Sequence, residues 1–465
     1  MKKQKFKIIL VVLLSGLSLA CQSKPSTAGL EKVLTASWQS YRRHFISPDG
    51  QVKIPEERGG TISEGQAYAL LRALWAGDEI TFARVYGWTH RHLSRAVKYS
   101  DSLLAWRWGR LPDGSWGLLD ANSATDADLD YALALVLAHH KGWRAPAGLP
   151  DYLEESRLVQ AAVLAKEVVR LPDGQLLLTP GNWHESAPPY LVNPSYFSPA
   201  AYRLFAQAGP KPEGSSGKVI NPPLPPFFKG GNKGPAGQSP PLEKGALGGF
   251  KIFSASYVNN GPLLNLALIP LMGEDRGGRE AAAAAAPWRD LHQATYLFLI
   301  KVSERLGDQK GVGLFPDWCR VDAAGGVSPA PGKDTRFGWE AVRVPFRVAL
   351  DALWFKDPQA VRLLKDKFLP FFKGQWQARR RLAAVYSYNG APAVDYESPV
   401  LYAGVLAGAI AAGDRHFARQ MAEKILSFYR EDGNQAYFEA PDNYYANNWA
   451  WLGLALYAGW VKPVN

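Results

Sequence analysis

Three stretches place carboxylates where proton transfer can be served. Glu64 lies in Thr61-Ile62-Ser63-Glu64-Gly65-Gln66, where Ser63 and Gln66 have the spacing of a capping box and Leu70, Leu71, Leu74 and Trp75 recur at helical spacing up to Gly77. The pattern predicts a helix over 64–76 with Glu64 in its first turn, where a carboxylate at the positive end of the dipole ordinarily stays ionised and caps. Asp126 and Asp128 lie in Ala124-Thr125-Asp126-Ala127-Asp128, where Thr125 and Asp128 predict a second capping box. Paired acids can also hold a metal, but no histidine accompanies these two and a hard cation needs more oxygens. Glu340 has Arg343 three residues on, a spacing at which acid and base pair on one helix face. Tyr196, in Asn193-Pro194-Ser195-Tyr196-Phe197, offers a hydroxyl on a turn that can equally fill core. Read singly, each residue has a structural explanation beside the chemical one.

Read as a series, they resemble glycoside hydrolase family 8. Ser63-Glu64-Gly65-Gln66-Ala67-Tyr68 is similar to that family's signature, and Phe82, Trp88-Thr89, Leu104-Ala105-Trp106-Arg107-Trp108-Gly109 and Ala124-Thr125-Asp126-Ala127-Asp128 follow in its order. Asn193-Pro194-Ser195-Tyr196, Phe315-Pro316-Asp317-Trp318 and Phe337-Gly338-Trp339-Glu340-Ala341-Val342-Arg343-Val344-Pro345-Phe346-Arg347 extend the series, so the likeness runs from about Trp38 to about Trp460. Within the family the chain looks most like the periplasmic endoglucanases associated with cellulose synthesis.

The resemblance implies an inverting endo-β-1,4-glucanase that needs no cofactor or metal, with Glu64 as proton donor and Glu340 as general base. Asp126 would hold the distorted sugar at the cleavage point, and the Tyr196 hydroxyl would lie near the base or its water. Such an enzyme sets its two carboxyls roughly 6.5–9.5 Å apart to admit a water. Glu340 stands where the family has aspartate, one methylene shorter, and Asp334 just upstream is the alternative base. Trp106, Trp108 and Trp116, on a loop before the acidic motif, are the expected sugar platforms. Asp317 and Arg343 are expected to line the substrate path. A chitosanase or xylanase on the same scaffold, or a glycan-binding lipoprotein without catalysis, are the alternative readings.

Helical patterns must position these groups. They occur at about 30–43, 64–76, 80–94, 126–141, 154–169, 198–207, 287–306, 339–355, 358–371, 398–412, 414–429 and 443–460, without convincing strands between them. Periodicity alone gives a mostly helical, all-α chain. The resemblance makes it an (α/α)6 barrel, a six-hairpin toroid, with one catalytic domain over 30–465. Residues 210–285 look inserted, and the Pro/Gly-rich part up to about 250 has too little apolar surface to order itself.

The first twenty residues combine a lysine-rich start, an apolar run from Ile8 to Leu14 and a small-residue end, which predicts a secretory signal and export to the periplasm or beyond. Leu17-Ser18-Leu19-Ala20-Cys21 is similar to a lipoprotein cleavage box with its leucine displaced by one, so a lipid anchor at Cys21 is expected, followed by a polar tether over 21–29. Cys319, the other of two cysteines, is expected to be a buried small hydrophobe. The net charge of +11 is concentrated partly in the leader, and Arg379-Arg380-Arg381 has no aromatic interleaving, so a nucleic-acid partner is not expected. The expected partner is a β-glucan polysaccharide, with the cellulose synthesis machinery as a neighbour and the chain itself a monomer.

Overall fold

The computed structural model describes residues 27–208 and 276–463; the expected signal over 1–20, Cys21, most of the expected tether and the Pro/Gly-rich stretch lie outside them. Residues 1–210 and 281–465 form one compact unit, and 211–280 a second, of which only the start of one helix is described.

In chain order the helices are α1 (Thr27–Phe45), α2 (Ser63–Ala76), α3 (Glu79–Leu93), α4 (Ala96–Tyr99), α5 (Thr125–His140), α6 (Tyr152–Lys166), α7 (Pro199–Ala208), α8 (Arg276–Glu304), α9 (Val344–Phe355), α10 (Pro358–Arg362), α11 (Leu369–Arg379), α12 (Pro399–Ala411), α13 (Arg415–Ser427) and α14 (Tyr444–Tyr457). A π-helical segment, Leu363–Phe368, joins α10 to α11. Helix α8 begins inside the stretch expected to be inserted, so the alanine run before Pro287 lengthens the helix and 276–285 belong to it.

Helices α2, α5, α7, α9, α12 and α14 are the inner ones. Each packs on the next, and α14 returns to α2, which closes the ring. The outer helices alternate with them in sequence; α3, α6 and α13 each pack against the inner helix before them. Being enclosed, α5 and α12 are buried almost all round, which is why neither shows a clean amphipathic stripe. This is the (α/α)6 barrel.

Short hairpins fill the loops, against the expectation of none. Strands of two to five residues include Thr61–Ile62, which pairs with Arg107–Arg110 and through it with Trp116–Asp120, and Tyr190–Val192, which pairs with Cys319–Val321. Of the tryptophans expected on a loop, Trp108 and Trp116 therefore sit on a sheet, and Trp106 lies just ahead of its middle strand. Cys319 is fully buried and free.

The capping follows a division of labour. Asp78, Asp151, Asp357, Ser398, Asp414 and Asn443 cap α3, α6, α10, α12, α13 and α14 through their side chains. Helices α2, α5 and α9 begin after Ile62, Ala124 and Arg343 with no capping side chain. Both expected capping boxes are absent. Gln66 instead accepts the Val52 N–H at 2.5 Å and donates to Thr89 at 2.8 Å, while Asp128 accepts the Leu104 N–H at 2.8 Å and Thr125 donates to the Thr179 carbonyl at 2.8 Å. These polar side chains tie neighbouring loops to the barrel.

Candidate active site

The uncapped helix starts meet at one guanidinium. Arg343, whose side chain is 1% exposed, reaches Oε2 of Glu64 at 2.6 Å, Oδ2 of Asp126 at 2.7 Å and the Tyr68 hydroxyl at 3.1 Å, all through Nη1. Its Nη2 bonds Oε2 of Glu340, and Nε reaches the Glu340 carbonyl at 3.3 Å. Glu64, Asp126 and Glu340, far apart in sequence, thus share one cation. Arg343, expected to line the substrate path, is the buried hub between the acids.

Three carboxylates around one guanidinium leave excess negative charge, and like charges at short range disfavour complete ionisation. Glu64 is pushed toward its protonated form. Burial raises its carboxyl to about 7; Arg343 opposes this, the charges of Asp126 and Glu340 add to it, and the Tyr444 hydroxyl, donating to Oε1, favours the ionised form. Near neutral pH such a group can give up a proton and regain it, which general-acid work requires.

Glu340 is fixed differently. It begins a single 3-10 turn, Ala341–Arg343, ahead of α9, so the helix expected from 339 starts at Val344. Asp317 governs that turn: one of its oxygens accepts the N–H groups of Gly338, Glu340 and Ala341 at 3.0, 3.1 and 2.7 Å. Gly338 permits the approach, since a Cβ there would sit 2.6 Å from the other Asp317 oxygen. Burial, helped by the Glu340 charge, raises the Asp317 carboxyl to about 8 against the pull of those N–H groups. Asp317 is buried, and the contacts it makes are with the backbone around Glu340. Asn193 completes the setting by donating from Nδ2 to Oε2 of Glu340 at 2.9 Å.

Tyr196 is half-buried, with the Arg343 guanidinium 5.3 Å from its ring centre and Trp318 edge-on at 6.0 Å. Burial, followed by the charges of Asp126 and Glu340, raises its hydroxyl well above the usual tyrosine range, so it stays an O–H donor. Asp334, the alternative base, stands apart, half-exposed and clamped by the Arg336 guanidinium at 2.9 and 3.0 Å.

The tryptophans divide as well. Trp108 and Trp116 stack at 5.0 Å and 19°, Trp108 leans edge-on against the buried Trp88, and Trp116 is 49% exposed. Trp106 is half-buried, and its carbonyl accepts the Ser63 N–H at 2.9 Å, which hangs the Trp-bearing sheet from the start of α2. Trp116 offers the open face, Trp108 backs it, and Trp106 serves the backbone.

Sequence reasoning missed Tyr68, Asn193 and Tyr444 as site residues. Tyr68 was signalled by its place one helical turn after Glu64, and Asn193 by the motif it opens. Nothing local signalled Tyr444, 380 positions from the acid it touches. Among the described residues His292, Asp351 and Asp357 could in principle hold a metal, but Arg203 already pairs with both aspartates there.

Residues 6–212 match the family model described as glycosyl hydrolases family 8. An endoglucanase from Pseudomonas fluorescens is 35% identical over 179 residues, 37% of this chain and 43% of that protein, and one from Salmonella typhi is 33% identical over 175 residues, 37% and 46%. The matched stretch thus spans less than half the length of these relatives. Endoglucanase 2 of Ruminiclostridium josui is 22% identical over 423 residues, 89% of this chain and 69% of that one. In three dimensions the chain is similar to a β-1,3-1,4-glucanase from Paenibacillus sp. X4, with a TM-score of 0.64 at 17% identity covering 93% of each chain. It is also similar to the endo-β-1,4-glucanase CMCax of Acetobacter xylinum, with a TM-score of 0.57 at 20% identity covering 92% and 98%. With the matched motifs, the closed ring of six inner helices and the acids at their starts, the chain is similar to glycoside hydrolase family 8 in sequence over residues 6–212 and in fold beyond them.

Proposed function

We propose that the protein is an exported endo-β-1,4-glucanase that cleaves cellulose-type β-glucan with inversion, Glu64 acting as general acid and Glu340 as general base. The observation that carries this reading is the pair of acids on different nitrogens of Arg343, one with its carboxyl raised to about 7 and the other held by Arg343 and Asn193. In this reading Glu64 gives its proton to the departing glycosidic oxygen. Glu340 takes a proton from a water attacking the anomeric carbon from the opposite face, so configuration inverts. Asp126 holds the ring at the cleavage point and Trp116 stacks on a flat sugar face. The leader sequence supports export and acylation of Cys21, and the resemblance to cellulose-synthesis endoglucanases supports work beside that machinery.

The test is reducing-sugar release from carboxymethylcellulose, mixed-linkage glucan, chitosan and xylan side by side, with proton NMR of the first product. Cleavage of the glucans with the α-anomer formed first is expected. Glu64→Gln should lower turnover by about 10²–10⁴-fold, the usual range for losing a positioned proton donor. Preference for chitosan or xylan would reject the substrate, a β-anomer first product would reject inversion, and unaltered turnover in Glu64→Gln would reject the acid.

A further inference from the structure

Five of the six inner helices deliver a side chain to the cluster from the segment at their start: Glu64 at α2, Asp126 at α5, Asn193 and Tyr196 before α7, Glu340 and Arg343 before α9, and Tyr444 at α14. The sixth, α12, delivers none. The segment leading to it, 382–397, is instead a two-armed loop laid against the residues that precede Glu340. Tyr386 and Phe337 exchange backbone hydrogen bonds at 2.8 and 3.0 Å, three residues ahead of Glu340. On the other arm Ala384 and Ala393 pair with Tyr396 and Val385 at 2.8 and 2.9 Å.

Between this loop and the end of α11 lies an open recess of about 540 Å³, with Arg379, Arg381 and Asp395 as its charged walls and Tyr386, Pro392 and Val394 as its apolar ones. Arg379 is the last residue of α11, where a cation offsets the dipole. Arg381 lies beyond the helix end, past Arg380 in the left-handed conformation (φ 53°), and spends one Nη2 hydrogen bond on the Asp395 carbonyl. Arg379 forms no ion pair with a described residue, and the two arginines outnumber the one carboxylate on the recess wall. Tyr396 is 50% exposed on the same loop, and Trp339, beside Glu340, is 40% exposed. An exposed ring on the loop beside two guanidinium groups, one of them without an ion pair, suits a sugar that carries an oxyanion, since a guanidinium fork matches a carboxylate or phosphate bidentately.

We propose that this recess binds an anionic substituent, carboxylate or phosphate, on a β-glucan chain lying past Glu340, so that the protein favours acid-decorated glucan over neutral glucan. The proposal rests on the glucanase reading above.

The test compares wild type with Arg379→Ala/Arg381→Ala and with Arg379→Lys/Arg381→Lys on three polymers: carboxymethylcellulose, phosphorylated cellulose and neutral mixed-linkage glucan, at low and at 0.5 M salt. The alanine pair should raise KM on an anionic polymer about three- to tenfold, the worth of two exposed charge pairs, with kcat and the neutral polymer unchanged. The lysine pair should recover part of the loss, and high salt should erase the difference. A rise on one anionic polymer only names carboxylate or phosphate as the group recognised. An equal rise on the neutral polymer, or none on either anionic one, overturns the proposal. Retardation of the same proteins in native gels cast with each polymer reads binding without turnover. If no polymer is cleaved, the glucanase reading fails, and loss of retardation by the anionic gels in the alanine pair still decides the recess.

Discussion

Arg347 grips both oxygens of Asp130 at 2.6 and 2.8 Å, one helical turn beyond the contact of Arg343 with Asp126. The two aspartates are four apart on α5 and the two arginines four apart in the run into α9, so the pairs form successive rungs between these helices. The lower rung is buried and holds the upper one at its height. Arg347→Ala leaves Asp130 buried without its cation and should destabilise the fold by about 3–5 kcal/mol. Replacing both residues by leucine should cost less than either single change. Urea unfolding of the three variants checks this, and full additivity would show that the rung is not one unit.

The rate should lose its acid form as pH rises through about 7, because Glu64 must carry a proton and its carboxyl is raised to that value. Tyr444→Phe removes a hydrogen bond that favours the ionised form, so the alkaline limb of kcat/KM should move to higher pH. A limb that stays in place or moves lower would separate Tyr444 from the acid's protonation.

Glu340→Ala should lower turnover by about 10²–10⁴-fold, as expected when a general base is removed. Glu340→Asp restores the length usual in the family and should keep substantial activity, provided Asn193 and Arg343 can follow the shorter side chain. Steady-state rates on mixed-linkage glucan distinguish the two variants. Wild-type turnover in Glu340→Ala would move the base elsewhere.

Stability should fall with pH over a window below neutrality. Glu167 is fully buried, accepts from Ser123 at 2.5 Å and is hydrogen-bonded to the Asp128 carboxyl; burial raises it from 4.5 to about 7. The folded chain therefore keeps a proton there that the unfolded chain has released, and the stability this contributes is present below pH 4.5 and lost as pH rises to about 7. Glu167→Gln cannot ionise, so its Tm should decline less across that window than that of wild type. Parallel curves for the two proteins would exclude Glu167 as a source of the decline.

Most helices were legible because their stops and starts are chemically marked: Gly77 and Gly142 take left-handed φ values of 72° and 75°, and Pro199 opens α7. The hairpins were not, since strands of two to five residues are too short for alternation to stand out from loop composition. Ser63 and Gln66 had the right spacing for a box, yet each meets a partner only the fold supplies, or none: the Ser63 hydroxyl is buried without one. The acids Glu64, Asp126 and Glu340 were legible by resemblance. Their shared guanidinium was visible only as an i,i+3 neighbour of Glu340, because its other partners come from 217 and 279 positions away.

That shared guanidinium also restricts how the protein can change by descent. Neutralising any one of the three acids alters the charge felt by the other two, while losing Arg343 strands them all, so single substitutions at these positions cross a valley in fitness. Exchanging aspartate for glutamate at 340 lengthens one spoke and preserves the charge count. It is the kind of step such a hub can absorb alone, because every spoke still carries its charge.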